Sequence, residues 1–307
     1  MKVFQWQFLH PRFWPSWLGL LFMRLTIYLP IKIQLWLGNI IGAVMGGVLK
    51  DRMKIAQRNL ELCFPELNPE QRAELLKRNQ QEMGMLLIET ALSWWASDEQ
   101  LRKRVRYEGF EHIDQALAKG KGIILLTGHF TSMEIGGRLF TLKNSGYVFV
   151  RPMKNALFNA VMMNARKRSG EGIILRDDPR SMIKILRKGK IIWYAPDQDF
   201  GKNRSIYVSF FGVPAATISA TGKIAKITEA AVILFVPKRE ADGSYTLTCK
   251  PALTDFPLGD NDKDTQRIND IIESEIRKMP EQYVWIHRRF KSQPNRKKGA
   301  IYKEPLG

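Results

Sequence analysis

Cysteine is nearly absent from this chain. Cys63 and Cys249 are the only two in 307 residues. They form no CxxC pair and no framework, which excludes a disulfide-stapled scaffold and predicts two unpaired thiols in a reducing compartment. Histidine is almost as scarce, with His10, His112, His129 and His287. No two of them form a ligand-spaced cluster, so neither a metal centre nor a metal cofactor is expected. Acid is in short supply as well. There are 30 Asp and Glu against 48 Lys and Arg, a formal charge of +18. So basic a surface expects an anionic partner, and nucleic acid, anionic lipid and an acidic carrier protein all qualify. Internal repeats and low-complexity tracts are missing, and the length suffices for a sizeable core.

A clean spanning run is also lacking near the amino terminus, although residues 15–49 carry only Arg24 and Lys32 as charges. Trp14–Leu29 is too short and interrupted for a spanning helix, which needs about 20 apolar residues. Three readings stand. One helix spans most of the region with Arg24 snorkelling; two shorter helices break near Pro30 and dip into one leaflet; or the segment is a buried hairpin of a soluble protein. Trp6, Trp14, Trp17 and Tyr28 suit an interfacial belt. No small-residue cleavage site follows, so a cleaved signal peptide is not expected. The basic stretch Lys50–Arg58 should stay cytoplasmic. The expected division is a membrane anchor over 1–49 and a catalytic domain over 50–307.

The remainder alternates. Helices are predicted over Lys50–Leu62 and from Asn68, with Pro69 and Gln71 completing a helix-start signature, to Trp95. Strands at Val105–Gly109, Ile123–Leu126, Tyr147–Val150, Gly172–Leu175 and Ile191–Ala195 interleave with helical segments. A loop and a helix over Ser219–Thr228 follow, then strands at Ala231–Val236 and Tyr245–Cys249 and a helix over Asp264–Lys278. The fold class is α/β, a mainly parallel sheet flanked by helices, with the amino-terminal helical segment added.

The chemistry concentrates in Gly122–Arg138, GIILLTGHFTSMEIGGR. A buried apolar strand ends at Thr127-Gly128, and His129 follows at the carboxyl end, where open α/β sheets bind ligands. On one continuous helix His129 and Glu134 would lie roughly 140° apart. With His129 in the turn and Glu134 in the first helical turn, the carboxylate can reach back, fix the tautomer and raise the ring's basicity. The other ring nitrogen then takes a proton from a substrate hydroxyl. A structural histidine is the alternative reading from spacing alone.

His129-Phe-Thr-Ser-Met-Glu134 resembles the HX4(D/E) motif of the membrane-associated acyltransferase superfamily. The chain is more specifically similar to the late acyltransferases of lipid A biosynthesis, in blocks that include 9–20, 58–67, 128–138, 151–159, 191–201, 210–222 and 279–291. The resemblance implies transfer of a lauroyl, myristoyl or similar chain from acyl carrier protein to a hydroxyacyl chain of a Kdo-bearing lipid A precursor. It implies no cofactor, and a location on the cytoplasmic side of a bacterial inner membrane. His129 and Glu134 are the expected catalytic dyad. Arg151, at a strand end, and Arg166, in the basic triplet Arg166-Lys167-Arg168, are expected to grip the acceptor's phosphates and acidic sugars. Asp197 is expected to orient Arg or backbone groups beside the site. Asp197 and Asp199 could alternatively hold a cation. The small residues of Phe210–Thr217 either admit an acyl chain or pack a helix on the sheet, and Trp285–Lys291 could bind lipid phosphates. Partners expected are acyl carrier protein, lipid A precursor and anionic membrane, with no nucleic acid, since no RNA- or DNA-binding motif accompanies the basic groups. The rival readings are an acyltransferase with another glycolipid acceptor and a non-catalytic basic protein.

Overall fold

Pro30 ends the first helical run, because the residue before a proline is pushed out of helical geometry. In the computed structural model, which describes residues 5–150, 152–170, 172–175 and 178–304, α1 (Trp14–Thr26) and α2 (Ile31–Val48) flank that break. Among the described residues α2 is the one helix long and apolar enough to cross a bilayer, by length and composition. Then come α3 (Lys50–Cys63) and α4 (Pro69–Trp95). As the sequence predicts, α4 opens on a reciprocal cap: Asn68 Oδ1 accepts the Gln71 N–H and Gln71 Oε1 accepts the Asn68 N–H. Helices α2 and α4 touch backbone to backbone. A side chain at Gly84 would fall 2.0 Å from the Gly38 carbonyl and 2.4 Å from the Gly42 nitrogen, so the crossing depends on small residues.

Beyond α5 (Asp98–Arg102), strands and helices alternate: β1 (Val105–Glu108), α6 (Glu111–Ala118), β2 (Ile123–Leu126), α7 (Met133–Phe140), β3 (Tyr147–Val150), α8 (Ala156–Arg168), β4 (Gly172–Leu175), α9 (Pro179–Leu186) and β5 (Ile191–Tyr194). A hairpin of β6 (Ser205–Phe210) and β7 (Val213–Ile218) leads to α10 (Ala220–Thr228), β8 (Ala231–Arg239), β9 (Tyr245–Cys249) and α11 (Asn261–Lys278). Seven strands form one sheet in the order β1-β9-β8-β2-β5-β3-β4, parallel at every pairing except β8 with β9.

The sheet divides two apolar layers. Alternate β2 side chains point to opposite faces. Ile123 and Leu125 pack with α1, α4, α7 and α8, whereas Ile124 and Leu126 pack with α3, α9, α10 and α11. Helices α1 and α2 join the first layer by packing: Leu20, Met23 and Ile27 are buried with Met85, Ile88 and Leu92 of α4. Their outer faces are apolar and uncovered. Trp14, Leu18, Leu21 and Leu25 on α1, and Trp36, Ile40, Val44 and Val48 on α2, are all exposed.

The β6–β7 hairpin is a departure from the sequence reading, which gives a loop followed by small residues before a helix. Its two-residue turn, Phe211-Gly212, has positive φ at both positions, 53° and 76°. Asn or Asp is usual at the first of these. Burial of the Phe211 ring against Phe64 and Trp285 holds it there instead.

Candidate active site

Strands β2 and β5 lie side by side in parallel register, with Leu126 opposite Tyr194. His129 and Asp197 each follow three residues later, so the sheet delivers both to the same point of its carboxyl edge. The Asp197 side chain is fully buried, and one oxygen is 2.5 Å from His129 Nδ1. Its other oxygen accepts the His129 backbone N–H at 2.7 Å and the Tyr283 hydroxyl at 2.8 Å. Burial alone would raise this carboxyl's pKa. The His129 ring and its N–H, with the Tyr283 hydroxyl, outweigh burial and hold it at about 2. The carboxylate is therefore ionised at neutral pH and fixes both tautomer and direction of the imidazole.

The ring's predicted partner, Glu134, is engaged elsewhere. From the first turn of α7, Glu134 accepts the Trp94 indole N–H at 3.1 Å and the Arg166 guanidinium at 2.6 Å. The acid that orients His129 is Asp197, correcting the expected His129–Glu134 pairing. The physical reason is register. A strand end three residues past a paired position is fixed beside its neighbour, while a side chain on the first helical turn leaves with the helix axis. The structure does place Glu134 and Arg166 beside His129, since all three line one cavity of about 680 Å³. That volume lies in the roughly 300–1,000 Å³ range of small-molecule sites. Its wall is largely apolar, with Met133, Val148, Phe149, Met182, Trp193 and Ile224, and at Gly137 helix α7 packs directly on the Trp193 ring. A side chain at Gly137 would fall 2.3 Å from the Trp193 ring. Gln198, Arg204, Ser219 and Lys223 add polar groups to the lining. Arg151 lies outside the described residues.

A carboxy-terminal strap closes the arrangement. Tyr283 bridges to Phe130, the Val284 N–H donates to the His129 carbonyl at 3.0 Å, and the Thr131 N–H donates to Gln282. The strap is held from behind by two buried amides. Asn59 Nδ2 donates to the Trp285 and His287 carbonyls, and Asn79 Nδ2 donates to those of Glu281 and Tyr283. Tyr283, Asn59 and Asn79 escape a reading of spacing because their role rests on contacts between distant segments. The signal available was polar residues within otherwise apolar helix faces.

Several motif residues have structural roles. Asp199 turns away from Asp197 and accepts the Gly201 and Ser292 N–H groups. Among the described residues no group of three acids, histidines or cysteines is placed to hold a metal ion. Arg289 is buried and donates to Ala216 O and Thr217 Oγ1, tying the hairpin to the strap rather than facing a ligand. His287 is largely buried. Desolvation, with the nearby His129 ring and the Arg289 and Lys291 charges, brings its pKa down to about 4 and keeps it neutral near neutral pH.

A family model described as bacterial lipid A biosynthesis acyltransferase matches residues 1–292. The lipid A biosynthesis lauroyltransferase of Escherichia coli (strain K12) is 38% identical over 296 residues, covering 96% of this chain and 97% of that one. The palmitoleoyltransferase of the same organism is 38% identical over 293 residues, 95% of each chain. The myristoyltransferase is 29% identical over 305 residues, 97% of this chain and 92% of its own. Matched along nearly its whole length, the chain is an acyltransferase and belongs to the bacterial lipid A biosynthesis acyltransferase family.

Proposed function

We propose that the protein moves a fatty acyl chain from acyl carrier protein to the hydroxyl of a hydroxyacyl chain on a Kdo-bearing lipid A precursor. The observation that carries this reading is the imidazole backed by a buried carboxylate on the wall of a largely apolar cavity. With Nδ1 committed to Asp197, Nε2 is the free base. It takes the acceptor's hydroxyl proton as the oxygen attacks the thioester carbonyl. Collapse of the tetrahedral intermediate breaks the C–S bond, and the imidazolium returns the proton to the departing thiolate. The acceptor is itself the nucleophile, so no acyl-enzyme is needed. Arg166, steadied by Glu134, and Arg151, which follows β3, are assigned to the acceptor's anionic groups. The apolar cavity wall takes the chain being transferred.

The exposed faces of α1 and α2 fit a bilayer surface. Leu18, Trp36 and Val48 are 68%, 62% and 74% exposed, and an uncovered apolar stripe of this kind seeks lipid. Residues 1–49 are assigned as the anchor in the inner membrane, with the sheet and its site on the cytoplasmic side.

The test is an assay of the purified protein with a panel of acyl carrier protein thioesters and a tetra-acylated, Kdo-bearing precursor, the products being weighed. The expected result is a mass gain of one acyl group. His129→Ala should lower the rate roughly 10²–10⁴-fold. Transfer that survives His129→Ala, or that proceeds equally well onto an unrelated glycolipid, refutes the assignment.

A further inference from the structure

Helices α9 and α10 lie across the sheet from the exposed apolar faces of α1 and α2. Their outward surface is basic. Lys184 and Lys188 on or just after α9, Lys223 and Lys226 on α10, and Lys202 and Arg204 on the short turn before β6 are all exposed. Among the described residues none of the six is joined to a carboxylate. Some cations elsewhere on the surface do pair locally, Lys103 with Glu99, Arg277 with Glu273 and Lys278 with Glu275; what sets these six apart is that Lys223 and Arg204 also line the cavity. Asp178 and Glu229 stand at the ends of these helices but bond to none of the six; like charges left unpaired repel one another, and an opposite partner would relieve that repulsion.

The patch also has an apolar centre and a connection to the site. Ile227 on α10 is 52% exposed, and its carbonyl accepts a bond from Arg187, the residue after α9. Lys223 and Arg204 reach from the patch into the lining of the catalytic cavity. A long, thin substituent could run from this surface to His129 without crossing the membrane-facing side.

We propose that the α9–α10 surface docks the protein that carries the acyl donor, by an acidic face of that protein. Its thioester arm would enter the cavity past Arg204 and Lys223. The inference rests on the donor assignment made above. A bilayer is the weaker occupant, because the apolar faces suited to lipid lie on the other side of the sheet. The geometry then separates the two substrates, lipid from the α1–α2 side and carrier from the α9–α10 side.

The experiment uses the full-length protein and a variant, Lys184→Glu with Lys188→Glu and Lys226→Glu, all outside the cavity lining. KM and kcat are measured with acyl carrier protein bearing a fatty chain. Binding to vesicles of phosphatidylglycerol and phosphatidylethanolamine is measured alongside. The expected result is a KM raised about ten- to hundredfold with kcat little changed and vesicle binding intact, since rim charges act mainly on encounter. Added salt should bring the wild type toward the variant. An unchanged KM overturns the proposal, as does loss of vesicle binding without a change in KM, or a fall in kcat alone. A wild-type protein that takes no acyl chain from the carrier refutes the donor assignment itself. A working wild type with an indifferent variant refutes only the docking surface.

Discussion

Two carboxylates approach the same site, one from the end of β5 and one from the start of α7, and they are used in opposite ways. Asp197 is fully buried and surrounded by donors, two from His129 and one from Tyr283. Glu134 keeps 22% of its side chain exposed and shares an ion pair with Arg166. A dry environment makes an acid costly unless every oxygen is satisfied. An acid satisfied in that way cannot drift, and it can hold a base in one orientation. A partly wet acid is screened, and what it contributes is shape and charge on a wall.

Substitutions test this contrast in order of size. Asp197→Asn is expected to lower kcat by roughly 10²–10⁴-fold while leaving a folded protein, because an amide can present N–H where the ring needs an acceptor. Steady-state kinetics on the purified variant would show it. Acid comes next. His287 is neutral when folded, with a pKa of about 4, while the unfolded imidazole titrates near 6.5. Below that value the unfolded state gains a proton that the folded state refuses. Stability should therefore fall by roughly 3 kcal/mol as the pH drops from about 6.5 to about 4. His287→Gln should flatten denaturant midpoints across that window. Asp197, depressed to about 2, has the same sense at lower pH: its contribution persists above about 4 and is lost only as pH approaches 2.

Tyr283→Phe removes one donor to the buried carboxylate, and a bond to a charged group is worth about 1.5–3 kcal/mol. Urea unfolding should record that loss, with a smaller decline in rate. Glu134→Gln has the smallest expected effect, about 1 kcal/mol in kcat/KM or roughly fivefold. If Glu134→Gln proves the more damaging of the two acid-to-amide changes, the roles assigned to the acids are reversed.

The parallel sheet was legible because its strands are short apolar runs closed by turn residues, and Ile123–Leu126, Tyr147–Val150 and Gly172–Leu175 have the predicted bounds. Helix α4 announced its start, and it ends at Trp95 as read. The hairpin was hidden because Phe211 occupies a position where Asn is the usual sign, and because Pro214 interrupts a strand. At the site, His129 was legible from its place after a strand, whereas its partner was not. Spacing along the chain favours Glu134, five residues on. Asp197 is 68 positions away, and only the pairing of Leu126 with Tyr194 brings it near.

The strap that completes the site is contributed by residues 281–287, close to the carboxyl end, and it is fastened by Asn59 and Asn79 from near the beginning. A growing chain therefore holds His129 and Asp197 well before Tyr283 exists to steady them. Until residues 281–287 have been synthesised, the nascent protein lacks the segment that braces this pair, and the site should take its final shape only when that segment is stitched against two helices made long before.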